Sequence, residues 1–227
     1  MIASRIKRAS SNYKRYFMQG LTKEKGRVKQ MQIYDISQEV LGCKVYPGDP
    51  APKGMAIARM TDGEAYNLSA FEMCAHNGTH IDAPFHFIPE GKTVDQMSLS
   101  KTVGLCYVAA FEGEITSKDA ECILQKAKVE REEACLRILL KGNATVTRES
   151  AEVFAQNGVE LIGVESQTVG PENAPMEVHQ ILLSAEVCLL EGIRLGEVDE
   201  GVYFLHAAPL CLEGFDGAPC RATLVRF

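Results

Sequence analysis

Apolar and polar positions change their period several times along the chain. Segments that are largely apolar or alternate by two occur at Ile33–Ile36, Ala65–Ala75, Val103–Phe111, Cys135–Leu140, Leu161–Val164, Val187–Glu191, Val202–Ala207 and Cys220–Phe227, and these predict strands. Three intervening stretches predict helices: Ser117–Val129, Thr147–Asn157 and Met176–Glu186. Thr116 and Asp119 stand in capping-box spacing ahead of the first helix, and Gly158 stops the second. Tyr46-Pro-Gly-Asp-Pro50 is a rigid turn, because two prolines fix φ and a glycine permits the bend. Helices separate several strands but not the first and last, so the pattern predicts an α/β domain built on a mixed sheet. No apolar run nears the roughly 20 residues that a membrane-spanning helix needs.

Composition and charge refine this picture. The 227 residues, 46% hydrophobic and 24% charged, suffice for a sizeable core. Residues 1–30 hold nine Lys/Arg against one Glu (+8), whereas residues 31–227 hold fifteen against twenty-nine acidic residues (−14). The expectation is a basic flexible extension over 1–30 followed by a single domain over 31–227, with folding beginning near Met31. The acidic body is a poor partner for nucleic acid, and nothing in the pattern suits a membrane. Eight cysteines, none in a CxxC pair and most within apolar runs, read as reduced core thiols of a cytoplasmic protein.

The chemistry gathers around histidine. Three of the five histidines fall within eleven residues, in His76-Asn-Gly-Thr-His80-Ile-Asp82-Ala-Pro-Phe-His86-Phe. Imidazole is the commonest metal ligand and aspartate adds a hard oxygen, so His76, His80 and Asp82 could share one metal. Gly78 and Pro84 disfavour a helix here, which puts the ligands on a strand end and the turn after it. Gly78 would let the backbone approach an ion, and the two oxygens of Asp82 could bridge two ions. A metal-free histidine cluster would need many hydrogen-bond partners to be buried. His179 and Glu191, twelve apart, could complete a second site beside the first. His206 and Cys74 read as packing residues, Arg221 as half of a structural ion pair, and Asp216-Gly217 as a turn. Glu165–Gly170, after a strand, is either a pocket lining or a plain loop.

The segment HNGTHIDAPFHF resembles the HxGTHxDxPxHF signature of the cyclase-like metal-dependent hydrolases, the family that includes bacterial kynurenine formamidase. The His179–Glu191 spacing, YPGDP and the closing GFDGAPCRA are similar to further parts of that pattern, so the resemblance covers about residues 32–227. It implies a swivelling β/β/α fold with a mixed-sheet core and peripheral helices, assembled as a homodimer or homotetramer. It implies two divalent ions per chain, zinc first and manganese second. His76, His80 and Asp82 would hold one, and Asp82, His179 and Glu191 the other. His86 would be the general acid/base rather than a ligand. A metal lowers the pKa of bound water from 15.7 to about 7, which supplies hydroxide at neutral pH. A histidine suits protonation of a leaving amine.

The implied activity is amide hydrolysis of the arylformamidase type, converting N-formylkynurenine to kynurenine and formate in tryptophan catabolism. Tyr46, Phe85 and Gln167 are candidate substrate-binding residues. Two alternatives stand beside it: hydrolysis of a cyclic amide, imide or lactone as in isatin hydrolases, and metal binding without turnover. His86 argues against the latter, because a structural zinc site closes its coordination shell and needs no spare acid/base.

Overall fold

The computed structural model describes residues 31–227; the expected basic extension, residues 1–30, lies outside the described residues. The body Gln32–Arg226 forms one unit. Its strands are β1 (Gln32–Asp35), β2 (Lys53–Ala58), β3 (Leu68–Glu72), β4 (His80–Asp82), β5 (Val103–Ala110), β6 (Gly113–Ile115), β7 (Arg137–Lys141), β8 (Ala144–Val146), β9 (Leu161–Val164), β10 (Cys188–Glu191), β11 (Gly201–His206), β12 (Gly217–Pro219) and β13 (Thr223–Arg226). Its α-helices are α1 (Ser117–Glu130), α2 (Arg148–Gln156) and α3 (Met176–Ser184).

Nine strands make one mixed sheet in the order β1-β13-β11-β5-β7-β9-β10-β4-β12. The central β5-β7-β9-β10 run is parallel, and α1, α2 and α3 are its crossovers. Antiparallel strands flank it on both sides, β11, β13 and β1 on one and β4 and β12 on the other. The expected mixed α/β architecture is therefore what the chain adopts.

Alternation along the central strands builds two cores. Tyr107, Ala109, Ile138, Leu140, Ile162, Val164 and Leu189 face the helices. Cys106, Val108, Leu139, Leu161, Cys188 and Leu190 face the other way. The second core also takes Leu224 from β13 and Ile81 from β4, near opposite ends of the sheet, so the sheet curls around it. On the first face α1 buries Ala120, Ile123, Leu124 and Ala127, the i, i+3, i+4, i+7 stripe of an amphipathic helix. Its start is the Thr116/Asp119 capping box: the Asp119 amide donates to Thr116 Oγ1 (3.2 Å) and the Thr116 amide to Asp119 Oδ2 (3.0 Å).

Several expectations need correction. The strand expected over Ala65–Ala75 is only Leu68–Glu72, and it pairs with β2, for which the sequence pattern gave no signal. This hairpin stands apart from the main sheet and exposes Met55, Ile57, Tyr66 and Phe71 along or near it. Cys135 belongs to a 3-10 turn rather than to β7, and Arg137 opens that strand while buried. The Arg137 guanidinium is tolerated there because it donates to the carbonyls of Lys101 and Leu105 (both 3.1 Å) and pairs with Glu160 (3.0 Å). The eight cysteines are unpaired, but Cys122 and Cys211 are exposed rather than in the core. His206 is exposed at the end of β11, not packed inside. Arg221 forms the expected ion pair, with Asp35. Among the described residues no helix is long and apolar enough to cross a membrane.

Phe154 of α2 is fully buried in the helix-side core. Phe154→Ala is expected to lower unfolding stability by about 3–5 kcal/mol in denaturant melts while the affinity for divalent metal stays within about twofold.

Candidate metal centre

The centre is built by strand register. On β4, His80 and Asp82 are two residues apart and share a face. Antiparallel pairing with β10 sets His80 opposite Glu191 and Asp82 opposite Leu189. A one-residue slip of β4 would turn His80 and Asp82 to the opposite face, away from Glu191. The face they share is the one covered by helices, and α3 lies over it with Val178, His179, Leu182 and Leu183 buried. His179 thus occupies a core position one turn before Leu183, where a hydrophobic residue is the usual occupant. His76 enters from the turn that leads into β4. The ligands therefore sit on a strand and the turn before it, not the turn after it as the sequence suggested. Gly78 lies in that turn at φ 70°, a conformation costly for other residues. A Cβ there would meet nothing nearer than 3.8 Å, so its backbone angle, rather than close approach, requires glycine.

Every donor converges on one small volume. His76 Nδ1 lies 2.8 Å from Asp82 Oδ1, and His80 Nε2 lies 3.3 Å from the same oxygen. His179 Nε2 is 3.3 Å from Glu191 Oε1 and 3.7 Å from Asp82 Oδ2. His80 Nε2 is 3.5 Å from Glu191 Oε2, which joins the two groups. Donor atoms of His76, His80 and Asp82 fall within 4.8 Å of one another, as do those of Asp82, His179 and Glu191.

The opposite nitrogen of each ring is anchored: His80 Nδ1 donates to the Gly78 carbonyl (3.1 Å) and His179 Nδ1 to the Pro175 carbonyl (2.9 Å). His76 Nε2 donates to Asp216 Oδ2 (2.8 Å). Such outer partners fix the tautomer and orientation of metal-binding imidazoles. The Val169 amide holds Glu191 Oε1 (2.8 Å) from the loop after β9.

These residues fit a divalent ion. Asp82 and Glu191 are 1% and 3% exposed, and burying an unpaired carboxylate costs several kcal/mol. His80 Nε2 and Asp82 Oδ2 are buried without a hydrogen-bond partner, both facing the same space. Three imidazoles and two carboxylates are the donor set of a zinc-like site. In the metal-free chain protons take the cation's place. Burial pushes His76 down, but the carboxylates of Asp216 and Asp82 outweigh it and lift the ring to about 11. Burial likewise opposes His80, and Asp82 and Glu191 raise it to about 9. Burial raises Asp82, yet His76 and His80 hold it well below the usual carboxylate range.

Around this cage the remaining candidates separate. His86 is at the rim, its ring stacked on His76 with centroids 4.1 Å apart and Nδ1 3.0 Å from Asp216 Oδ2. Phe85, beside it, is exposed. Tyr46 is half-buried, and its hydroxyl donates to the Glu172 carbonyl (3.3 Å), not to a cage residue. Gln167 is buried; its Oε1 accepts from Gln38 Nε2 (2.9 Å) and its own Nε2 has no partner. Two further residues complete the surroundings. Phe87 packs against both His86 and His179, at 4.6 and 4.8 Å between centroids. Asp216, expected in a plain turn, reaches two histidines because β12 pairs with β4 and sets Gly217 opposite Asp82.

A buried cage of histidines and carboxylates with an anchored histidine at its rim, on a curled mixed sheet, defines a metal-dependent enzyme class. Comparison gives the family. The family described as "Putative cyclase" matches residues 30–171, and the chain belongs to it. Kynurenine formamidase of Erythrobacter litoralis is 32% identical over 212 residues, spanning 86% of this chain and 94% of that protein. Among solved structures, a potential metal-dependent hydrolase with cyclase activity aligns at a TM-score of 0.71 with 29% identity, covering 86% of this chain and 98% of that one. Isatin hydrolase A of Labrenzia aggregata shares the fold at a TM-score of 0.72 with 20% identity, covering 86% and 93%.

Three outcomes are expected. The cage-facing nitrogens of His76 and His80 carry protons in the metal-free chain at pH 7, so zinc uptake should release about two protons per chain. Calorimetry in buffers of differing ionisation enthalpy measures this. The raised histidines stabilise the metal-free fold fully below about pH 6.5, and that contribution is lost as pH climbs through about 9 and then about 11. A Cβ on Gly217 would stand 2.8 Å from His76 Cε1 and from the Ile81 carbonyl. Gly217→Ala should therefore weaken zinc binding by about tenfold or more in a chelator competition assay.

Proposed function

We propose that the chain is a metal-dependent amide hydrolase of the arylformamidase type, cleaving N-formylkynurenine to kynurenine and formate. The observation that carries this reading is the pairing of a buried cage with a partly exposed, anchored histidine at its rim. His86 has a side chain 27% exposed, anchored through Nδ1, with Nε2 available. The kynurenine formamidases at 31–32% identity over 85–86% of this chain support the choice of amide.

His76, His80 and Asp82 would hold one ion and Asp82, His179 and Glu191 a second. Zinc suits these donors, and manganese is the second choice. Bound there, the ions supply a nucleophile at neutral pH and polarise the carbonyl under attack. The chain's own residues do the rest. His86 Nε2 takes up the proton that the nucleophile gives up during the attack and returns it to the arylamine, which leaves as the C–N bond breaks. Phe87, against His86 and His179, presents an aromatic edge beside the cage, and Phe85 offers a second ring for the aryl group. The apolar hairpin of β2 and β3 supports assembly of two or four copies, working on a small-molecule substrate in the cytoplasm.

Elemental analysis should find about two zinc ions per chain, and the loaded protein should release formate from N-formylkynurenine. His86→Ala should keep both ions and lose about 10²–10⁴ in kcat. Turnover of N-formylkynurenine no faster than that of His86→Ala, with cyclic amides or lactones opened instead, would move the substrate and keep the hydrolase. Metal uptake with no hydrolysis of any amide or ester would reject the enzyme.

A further inference from the structure

One carboxylate oxygen serves two histidines. Asp216 Oδ2 lies 2.8 Å from His76 Nε2 and 3.0 Å from His86 Nδ1, and the two rings stack 4.1 Å apart at 29°. A carboxylate oxygen has two lone pairs, so it can accept both N–H groups at once. The position of Asp216 is itself fixed. Its carbonyl accepts the Ala83 amide (2.9 Å), the Phe215 carbonyl accepts the Val94 amide (2.9 Å), and Gly217 pairs with Asp82. Gly217 also leaves no room for a side chain beside His76.

We propose that Asp216 is the positioning residue that orients a metal ligand and the proton carrier together. By taking the N–H of His76 Nε2 it turns Nδ1 toward Asp82 and the cage, as the nitrogen that would give up its proton to a cation. By taking the N–H of His86 Nδ1 it leaves Nε2 bare, the nitrogen free to take up and pass on a proton. Proton carrier and metal ligand are thereby held in one register, through a residue contributed by a different part of the chain. The statement about His86 rests on the function proposed above; the statement about His76 rests on the cage alone.

The test uses the full chain with Asp216→Asn, His86→Ala and the double variant. Zinc affinity, measured against a chromophoric chelator, should fall about 10–100-fold in Asp216→Asn and stay unchanged in His86→Ala. In the zinc-loaded parent, ¹⁵N NMR should show His86 protonated at Nδ1 and bare at Nε2, and Asp216→Asn should shift that balance. At saturating zinc, on whichever amide is turned over, Asp216→Asn should lower kcat with little change in KM. Asp216→Asn should slow His86→Ala by less than it slows the parent, because part of the Asp216 effect acts through His86.

Unchanged zinc affinity in Asp216→Asn, or an Nε2–H tautomer of His86 in the parent, overturns the proposal. So does uptake of a third cation that Asp216→Asn abolishes, since His76, His86 and Asp216 would then be ligands of their own ion. If the affinity and NMR results hold but no formamide is cleaved, the substrate assignment fails and the positioning role stands. The NMR measurement on the parent chain decides the matter even if Asp216→Asn does not fold.

Discussion

Two carboxylates closed off from water, Asp82 and Glu191, govern the centre of this protein. Their charges lie in a region too dry to solvate them and are faced by three imidazoles whose other nitrogens are already committed. Such an arrangement is costly unless positive charge enters it, from protons on histidine or from a metal. The same confinement that makes the empty cage expensive makes an ion in it firmly held. The chain thus keeps the fold and its chemistry on one electrostatic balance.

That balance depends on β4, only three residues long. It is clamped by β10 on one side and β12 on the other, so His80 faces Glu191 while Pro219 backs it. Ile81, between His80 and Asp82, points into the opposite core and is fully buried. The hydrophobic anchoring of Ile81 on one face sets the direction of His80 and Asp82 on the other. The helix side contributes a histidine where packing alone would place an aliphatic residue, and the loop after β9 secures Glu191 through the Val169 amide. Glu191 stands at the carboxyl end of a parallel strand, the edge where α/β sheets commonly gather their ligands.

At the rim the surroundings change from closed to partly open. His86 shares a ring stack and a carboxylate with His76, yet its side chain remains partly open to solvent. The hydrogen bonds from His76 and His86 hold Asp216 well below the usual carboxylate range, so it stays an acceptor across the working pH. The rim is thereby rigid without being buried, which suits a group that must meet a substrate and keep its orientation.

Much of this was legible from the chain alone. Period and capping gave the three helices and most of the central strands, because those elements bury a regular stripe or an apolar run. The His76–His86 segment announced metal chemistry, because scarce side chains with matching donors cluster there locally. The resemblance to the cyclase family tied in His179 and Glu191, which local pattern alone could not. Other features were set by tertiary structure. The β2 strand is exposed and carries no alternation, so no burial period marked it. Arg137 interrupts an apolar run and is buried only because distant carbonyls receive it. Asp216 looked like a turn residue, since its importance lies 140 positions from His76 and arises from the pairing of β12 with β4. Sequence specified which side chains could bind a metal; the sheet register decided which of their atoms meet, because hydrogen-bonded pairing joins residues that no local period connects.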